Sequence, residues 1–268
     1  MTTGLDPQPQ TTDDAFHGGA LRILQPAQGY RAGLDAVLLA AAAPIVDCSP
    51  TDVLDAGSGV GTVGLCVASR CPGARVTLVE RETVLADLAR ENAARNGLSD
   101  RTTVVVADLS LGGALVHGEA APEGLRPAAF DLVLANPPYR TVGRGTSARG
   151  LKRGAHEHGA GDLDRWLAAL VTLARADATL TLIHEASALP EILAACDGRF
   201  GGLLVRPISP RSGEPANRVI VQGRKASRAP LQLLAPFVVH GEGQAFTPLV
   251  EAVLRQGAAL PIADRRRD

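Results

Sequence analysis

Two carbonyl groups, at residues 136 and 137, form the pattern that points most directly to a catalysed reaction. They follow Phe130–Ala135, an apolar run that predicts a buried strand, so they lie at a strand's carboxyl end. The side-chain carbonyl of Asn136 and the backbone carbonyl of Pro137 can together accept both hydrogens of a planar NH2 group. The lone pair of such a nitrogen is delocalised, and two fixed acceptors can turn it towards an electrophile. The pattern therefore predicts group transfer to an amino or amide nitrogen.

The residues that follow make this corner rigid and give it an aromatic wall. Pro137 and Pro138 fix their own φ angles and restrict the residue before each of them. The ring face of Tyr139 can stack against a flipped base, which is worth about 1–3 kcal/mol. An Asn-Pro pair alone is also common in ordinary turns after strands, so its meaning depends on the rest of the chain.

A glycine-rich turn earlier in the chain predicts a cofactor site. Its glycines allow close approach of a ligand to the backbone, and the following helix amino-terminus favours an anionic group. Read from Gly59, the segment Gly59-Val60-Gly61-Thr62-Val63-Gly64 matches the dinucleotide fingerprint. Read from Asp55, the segment Asp55-Ala56-Gly57-Ser58-Gly59-Val60-Gly61 has the form that S-adenosylmethionine enzymes use. Dinucleotide folds place their first glycine at the strand end, whereas three residues separate Asp55 from Gly59, which favours S-adenosylmethionine.

Two acidic residues at successive predicted strand ends fit the same cofactor. Glu80 ends the second strand, where its carboxylate can accept both ribose hydroxyls. Asp108 follows the third strand and can accept a hydrogen bond from an adenine amino group; the alternative is a helix cap or turn residue. Together with Asn136, these positions predict S-adenosylmethionine as a methyl donor.

Composition excludes several classes of protein. The 268-residue chain has a net charge of −1 and a pI near 6.6, which excludes a globally basic nucleic-acid binder but allows a local basic patch. The first 21 residues contain no Lys or Arg and no sustained apolar run, so we expect no signal peptide. No apolar run approaches the length of about 18 residues that spans a membrane. The four cysteines lack CxxC spacing and the histidines lack ligand spacing with them, so we expect no metal and a soluble, reduced, cytoplasmic protein.

Strands and helices alternate from residue 51 onwards, which predicts an α/β fold with a mostly parallel sheet. We expect residues 1–20 to be a flexible amino-terminal segment and residues 21–268 to form a single domain. The predicted strands are Val53–Ala56, Arg75–Glu80, Thr102–Ala107, Phe130–Ala135 and Ala178–His184, with Gly202–Arg206, Arg218–Gln222 and Leu231–Val239 as an antiparallel edge. The predicted helices are Leu34–Ala43, Val60–Ser69, Glu82–Asn96, Asp162–Ala176 and Leu189–Cys196. Trp166 is predicted to be a core residue.

These patterns together resemble the amino-methyltransferases of the Asn-Pro-Pro-Tyr type. Within them the chain is most similar to the bacterial tRNA(adenine-N6)-methyltransferases that act on the purine 3′ of the valine tRNA anticodon. Gln25–Ala40, Ala155–Glu157 and Pro210–Val219 also carry this resemblance. It implies a Rossmann-like class I methyltransferase fold, with a central, mostly parallel seven-stranded sheet, helices on both faces and an antiparallel edge. It further implies S-adenosylmethionine as the cofactor and tRNA as the partner.

The resemblance also assigns roles to individual residues. Asn136, Pro137 and Tyr139 would hold the target base as the catalytic residues. The segment from Tyr30 to Asp35 would lie over the methionine end of the cofactor. The implied cofactor-binding residues are Tyr30, Gly33, Asp35, Asp55, Gly57, Ser58, Gly59, Gly61, Glu80, Arg81, Asp108, Leu109 and Asn136. The chain departs from its relatives at Arg140, where they often have Phe, and at Leu34, where some have a hydroxyl residue.

A run of positive charge after the Asn-Pro-Pro-Tyr corner predicts contact with phosphates. These RNA-binding candidates, which adjoin Tyr139, are Arg140, Arg144, Arg149, Lys152 and Arg153, with no acid among them. An ordinary solvated loop is the alternative. Two other functions stay open: methylation of a glutamine side-chain amide in a protein such as a release factor, and a non-catalytic RNA-binding role. Release-factor enzymes usually carry a longer amino-terminal helical domain than the segment that precedes the first predicted strand here.

Overall fold

The computed structural model describes residues 10–29, 31–45, 49, 51–116, 122–137 and 162–262. Within these residues the strands are β1 Thr11–Phe16, β2 Leu21–Pro26, β3 Thr51–Ala56, β4 Ala74–Glu80, β5 Thr102–Val106, β6 Phe130–Ala135, β7 Ala174–Glu185, β8 Phe200–Ser209, β9 Arg218–Lys225, β10 Gln232–Leu233 and β11 Phe237–Val238. The helices are α1 Leu34–Ala42, α2 Thr62–Arg70, α3 Thr83–Arg95, α4 Asp162–Leu173, α5 Leu189–Cys196 and α6 Pro248–Gln256. Short 3-10 helices cover His17–Gly19, Ser99–Arg101, Leu109–Val116 and Ala186–Ala188.

One large sheet organises the fold. Its strand order is β10-β8-β9-β7-β6-β3-β4-β5, and β11 also pairs with β8. The strands from β7 to β5 in this order are parallel, whereas β9 runs antiparallel to both β7 and β8. Without the two-residue strands β10 and β11, seven strands remain, as predicted for a class I methyltransferase fold.

The sheet separates two apolar cores, because neighbouring side chains along a strand point to opposite faces. Val53 belongs to the core that α1, α2 and α3 cover, and the next residue, Leu54, belongs to the core that α4 and α5 cover. The largest fully buried side chains are mainly leucines, consistent with an aromatic content of only 3%.

Three predictions about elements were wrong. No strand was predicted before residue 21, yet β1 pairs with β2 from Thr11↔Pro26 to Phe16↔Leu21. Helix α4 ends at Leu173 instead of Ala176, because Ala174 already pairs with Phe130 of β6. The segment 231–239 forms no antiparallel edge strand, because β10 and β11 pair in parallel with β8.

Within the described part of the chain, no helix is long and apolar enough to cross a membrane. The same residues contain no group of three or more His, Cys, Asp or Glu side chains that could hold a metal ion. Cys66, Cys71 and Cys196 are buried, and burial raises the pKa of Cys66 and of Cys196 to about 12.

Candidate cofactor and acceptor site

The glycine turn and the Asn136-Pro137 corner leave the sheet side by side. Strands β3 and β6 are parallel neighbours, and their last residues, Ala56 and Ala135, are paired in register. Gly57 and Asn136 are the next residues of the two strands. The sequence predicted that both segments lie at strand ends, and the strand order makes these ends adjacent at the carboxyl edge of the sheet.

Glu80 fastens the glycine turn to the end of β4. Its Oε2 accepts a hydrogen bond from the Gly59 N–H at 2.8 Å, and its Oε1 accepts one from the Glu82 N–H at 2.9 Å. The Ser58 N–H also bonds to the Val79 carbonyl at 2.9 Å. Burial raises the pKa of Glu80, and the backbone N–H donors partly offset this rise. Because each carboxylate oxygen has two lone pairs, Glu80 can hold the turn and still accept a ribose hydroxyl.

The first glycine of the turn lies against an aromatic ring. Gly57 has φ +69°, and a Cβ atom at this position would be 2.5 Å from Cη2 of Trp166. Trp166 is a core residue, as predicted, with 7% of its surface exposed. Its role as a support for the turn was missed, since nothing in the local sequence links α4 to residue 57.

The later glycines allow α2 to approach β4. A Cβ at Gly61 would be 2.9 Å from the Leu78 side chain, and one at Gly64 would collide with Leu78 and Val76. Close helix–strand packing is also the role of the third glycine in the dinucleotide fingerprint. This shared packing requirement explains why the segment matches both cofactor patterns.

Asp55 is buried beneath the turn. It is 1% exposed, and its Oδ2 accepts a hydrogen bond from the Gly64 N–H at 2.8 Å. Burial raises the pKa of Asp55 to about 7; the Gly64 bond opposes this effect and the charge of Glu80 adds to it.

The raised pKa of Asp55 predicts a pH-dependent stability. Between about pH 4 and pH 7 Asp55 binds more protons in the cofactor-free native protein than in the unfolded chain, so its contribution to the free energy of unfolding falls as the pH rises. The Asp55→Asn variant keeps an oxygen acceptor for Gly64 and does not ionise. We expect it to gain stability over the wild type as the pH rises through this window, by up to about 4 kcal/mol at pH 8. Urea unfolding at pH 5, 6, 7 and 8 measures this difference.

The exposed Asp100 provides the matched control. Asp100→Asn removes one exposed carboxylate and changes no buried group, so its stability difference from the wild type should stay nearly constant from pH 5 to pH 8. If Asp55→Asn behaves in the same way, the carboxyl of Asp55 does not carry the raised pKa.

Two buried hydroxyl groups in the turn suit the cofactor. Ser58 and Thr62 are 8% and 1% exposed, and neither Oγ of Ser58 nor Oγ1 of Thr62 has a hydrogen-bond partner among the described residues. Buried hydroxyls are normally paired. Thr62 is the first residue of α2, so its hydroxyl lies at a helix amino-terminus, which favours a carboxylate. The carboxylate of a methionine moiety would therefore fit these donors; Thr62 was missed because the predicted motif stopped at Gly61.

The start of α1 lies at the same edge of the sheet. Gly33 precedes the helix, and Asp35 in its first turn forms an ion pair with Arg218 at 2.9 Å. Arg218 begins β9 and pairs with Glu185, the last residue of β7. The ion pair between Asp35 and Arg218 links residues 183 positions apart and gave no signal in the sequence.

Asp108, which follows β5, has the turn role that was one of its two predicted alternatives. Asp108 Oδ1 accepts a hydrogen bond from the Ser110 N–H at 2.8 Å, which is the turn role considered above. Leu109 is buried beside it. Arg81 lies beyond β4 and pairs with Glu82 at 3.1 Å. The remaining predicted site residues lie outside the described residues: Tyr30, Tyr139, Arg140, Arg144, Arg149, Lys152 and Arg153, together with Pro138.

Comparison with known proteins shows the family to which the chain belongs. The family model for the methyltransferase small domain matches residues 36–152. A tRNA1(Val) (adenine(37)-N6)-methyltransferase from Aeromonas hydrophila is 31% identical over 195 residues, which cover 72% of this chain and 75% of the relative. The chain belongs to the same methyltransferase family as this Aeromonas hydrophila relative. It is an N-methyltransferase whose methyl donor is S-adenosylmethionine.

Two further relatives show how the family compares with its neighbours. A release factor glutamine methyltransferase from Chlorobaculum tepidum is 35% identical, but over only 37% of this chain and 31% of that protein. The crystal structure of a predicted O-methyltransferase from Agrobacterium tumefaciens aligns with a TM-score of 0.69 and 32% identity, over 85% of this chain and 98% of that one. The class I fold thus extends over most of the chain, whereas the similarity to the glutamine enzyme is partial.

Proposed function

We propose that this methyltransferase transfers the methyl group of S-adenosylmethionine to the exocyclic N6 of an adenine in tRNA, at the purine 3′ of the anticodon, in the cytoplasm. The observation that carries the proposal is the position of Asn136 and Pro137 directly beside the glycine turn, fixed by the Ala56↔Ala135 register. An acceptor nitrogen bound at this corner would lie next to the cofactor's turn.

The chemistry of the corner follows from its two oxygen atoms. Bound S-adenosylmethionine supplies an electrophilic methyl group. The Asn136 side-chain carbonyl and the Pro137 backbone carbonyl accept the two N–H groups of the adenine amine, which draws the nitrogen lone pair out of conjugation with the ring and directs it towards the methyl group. As positive charge develops on the nitrogen, the same two oxygens stabilise it. Positioning therefore supplies most of the rate; the methylated nitrogen is strongly acidic and passes its extra proton to water, so no group with a specially adjusted pKa is required.

The number of acceptors also favours nitrogen over other methyl acceptors. A hydroxyl carries a single hydrogen, so an O-methylation substrate would leave one of the two carbonyls without a donor. A glutamine amide carries two and would fit the same corner, which makes it the second candidate. The adenine reading is favoured because similarity to the adenine-N6 relative extends over 75% of that protein, against 31% for the glutamine relative.

Tritium transfer from labelled S-adenosylmethionine tests the proposal. Unmodified bulk tRNA and total protein extract are offered separately, and the labelled RNA is digested to nucleosides. We expect the label in N6-methyladenosine. Label that enters only protein, in N5-methylglutamine, would replace adenine by a glutamine amide, and labelled O-methyl products would remove the role of the two carbonyls.

The basic residues after the corner lead to a separate prediction about tRNA binding. Replacing Arg140, Arg144 and Arg149 by Ala should raise the KM for tRNA and reduce the slope of log(kcat/KM) against log salt by about 2, because three phosphate contacts are lost. Steady-state kinetics between 50 and 300 mM salt, at about six concentrations, give both quantities. The matched control replaces Arg265, Arg266 and Arg267, which removes the same charge near the chain end and should leave the slope unchanged. A change in kcat alone would contradict a phosphate-binding role.

A further inference from the structure

The β1–β2 hairpin is attached to the methyltransferase fold in an asymmetric way. The inward side chains of β2, including Leu21, Ile23 and Gln25, are at most 2% exposed. Strand β1 lies outside β2, and its residues are alternately exposed and half-buried. The hairpin therefore has an inner strand that belongs to the core and an outer strand that contributes mainly polar groups.

Two asparagine side chains, Asn92 on α3 and Asn96 directly after it, hold the inner strand. Asn96 accepts a hydrogen bond from the Arg22 N–H at 2.9 Å and donates one to the Arg22 carbonyl at 2.8 Å. Asn92 makes the same pair of bonds with Leu24, at 2.7 and 3.0 Å. Each amide thus pairs with β2 as the backbone of a neighbouring strand would.

Asn92 also reaches the cofactor turn. Its Nδ2 donates a second hydrogen bond, at 3.0 Å, to the carbonyl of Val60, which lies between Gly59 and Gly61. The Asn92 side chain is fully buried, so these bonds are not exchanged with water. One side chain therefore ties β2 to the glycine turn.

The other end of the hairpin holds the residues that enter α1. Gln25 Oε1 accepts a hydrogen bond from the Ala32 N–H at 2.7 Å. Asp14 on β1 binds Gln25 Nε2 at 2.9 Å and Arg31 at 2.6 Å through the same oxygen, and Arg31 also donates to Thr12 at 2.9 Å. Residues 31 and 32 are thereby fixed by both strands.

The two attachment points lie on opposite sides of the acceptor corner. The contact between Asn92 and Val60 adjoins the end of β3, whereas α1 begins beside Arg218, at the end of β7 and the start of β9. In the sheet, β6 separates β3 from β7, and Asn136 follows β6. The hairpin and residues 31–33 consequently connect the two walls between which the cofactor and the acceptor must lie.

We propose that the hairpin positions the entrance to α1 relative to the glycine turn, and that Asp14 is a positioning residue for S-adenosylmethionine binding. Asp14 touches neither the turn nor Asn136. It acts by holding Arg31 and Gln25, which fix the backbone three to four residues before Asp35.

Asp13 provides a matched control for Asp14. The two residues are adjacent on β1 and have similarly exposed side chains, 35% and 30%. Asp13 forms ion pairs of the same kind, with Arg22 at 3.2 Å and Arg95 at 2.8 Å, but its side chain forms no hydrogen bond or ion pair with a described residue between 25 and 35. Isothermal titration with S-adenosylmethionine, without any acceptor, compares Asp13→Ala and Asp14→Ala at a temperature where thermal unfolding shows both to be folded.

We expect Asp14→Ala to raise the Kd for S-adenosylmethionine by about tenfold and Asp13→Ala by less than about twofold. In turnover assays the KM for S-adenosylmethionine should rise in Asp14→Ala while kcat at saturation is retained. Arg31→Ala should weaken binding to a similar extent, and the double variant should be no weaker than either single variant. Equal effects of Asp13→Ala and Asp14→Ala, or additive effects of Asp14→Ala and Arg31→Ala, would overturn the proposal. Because no acceptor is present in the titration, its outcome does not depend on whether the substrate is adenine or glutamine.

Discussion

Replacing Asn136 by Ala is expected to reduce kcat by about 10³-fold while the Kd for S-adenosylmethionine changes little. The side-chain carbonyl is one of the two oxygens that accept the hydrogens of the target amine, and its effect is greatest when the nitrogen becomes positively charged. Its removal leaves Pro137 to hold one N–H, so the lone pair is no longer fixed towards the methyl group. Single-turnover transfer to tRNA, with titration of S-adenosylmethionine in parallel, separates chemistry from binding.

The Asn136→Asp variant distinguishes this role from simple packing. Aspartate has nearly the same shape and keeps an oxygen acceptor at the same position, so part of the lost rate should return. Alanine-like activity in Asn136→Asp would indicate that the amide NH2 is also needed. Full turnover in Asn136→Ala with intact cofactor binding would eliminate the proposed mechanism.

Replacing Gly57 by Ala should have the second largest effect, this time on the cofactor. An alanine at φ +69° is strained by about 1–2 kcal/mol, and its methyl group would collide with the Trp166 ring. Together with overpacking of about 1–3 kcal/mol, this should lower the free energy of unfolding by about 2–5 kcal/mol and weaken S-adenosylmethionine binding by about tenfold or more. Urea unfolding and calorimetric titration measure the two effects.

Gly198 separates backbone strain from collision. It has φ +68°, and an added Cβ would meet nothing within 4 Å, so Gly198→Ala should show only the strain and leave cofactor binding unchanged. Trp166→Phe removes the ring atoms nearest to Gly57 and should partly restore binding in the Gly57→Ala background. If Gly57→Ala binds the cofactor normally, the turn does not need its observed backbone path.

Much of the fold and of the site was predictable because its signals are local. The run Phe130–Ala135 predicts its own strand, and the turn after Asp55 carries its glycines within a few residues. The glycine turn and the Asn136-Pro137 corner each follow a strand of the same parallel sheet. The fold therefore places both of them at the carboxyl edge of that sheet.

The remaining features depend on partners that are distant in the chain. Ala174 has a high helix propensity, yet it joins β7 because Phe130 of β6 is available to pair with it, and Arg175 binds Asp52 and Asp131. The polar segment around Asp14 lacks the apolar content of an independent strand, and it forms β1 by pairing with β2. The other edge of β2 is bound by the side-chain amides of Asn92 and Asn96. Such contacts are set by tertiary structure, which overrides local propensity.

The ring beneath the glycine turn has a practical consequence. Trp166 is the chain's single tryptophan, and one optical probe therefore reports on one place in the molecule. Indole emission depends on the polarity and rigidity of its surroundings, so any event that shifts Gly57 alters the fluorescence of the whole protein. Without labels or engineered residues, stopped-flow fluorimetry can thus follow how quickly the methyl donor arrives and its demethylated product departs, and show whether this exchange or the transfer itself limits turnover.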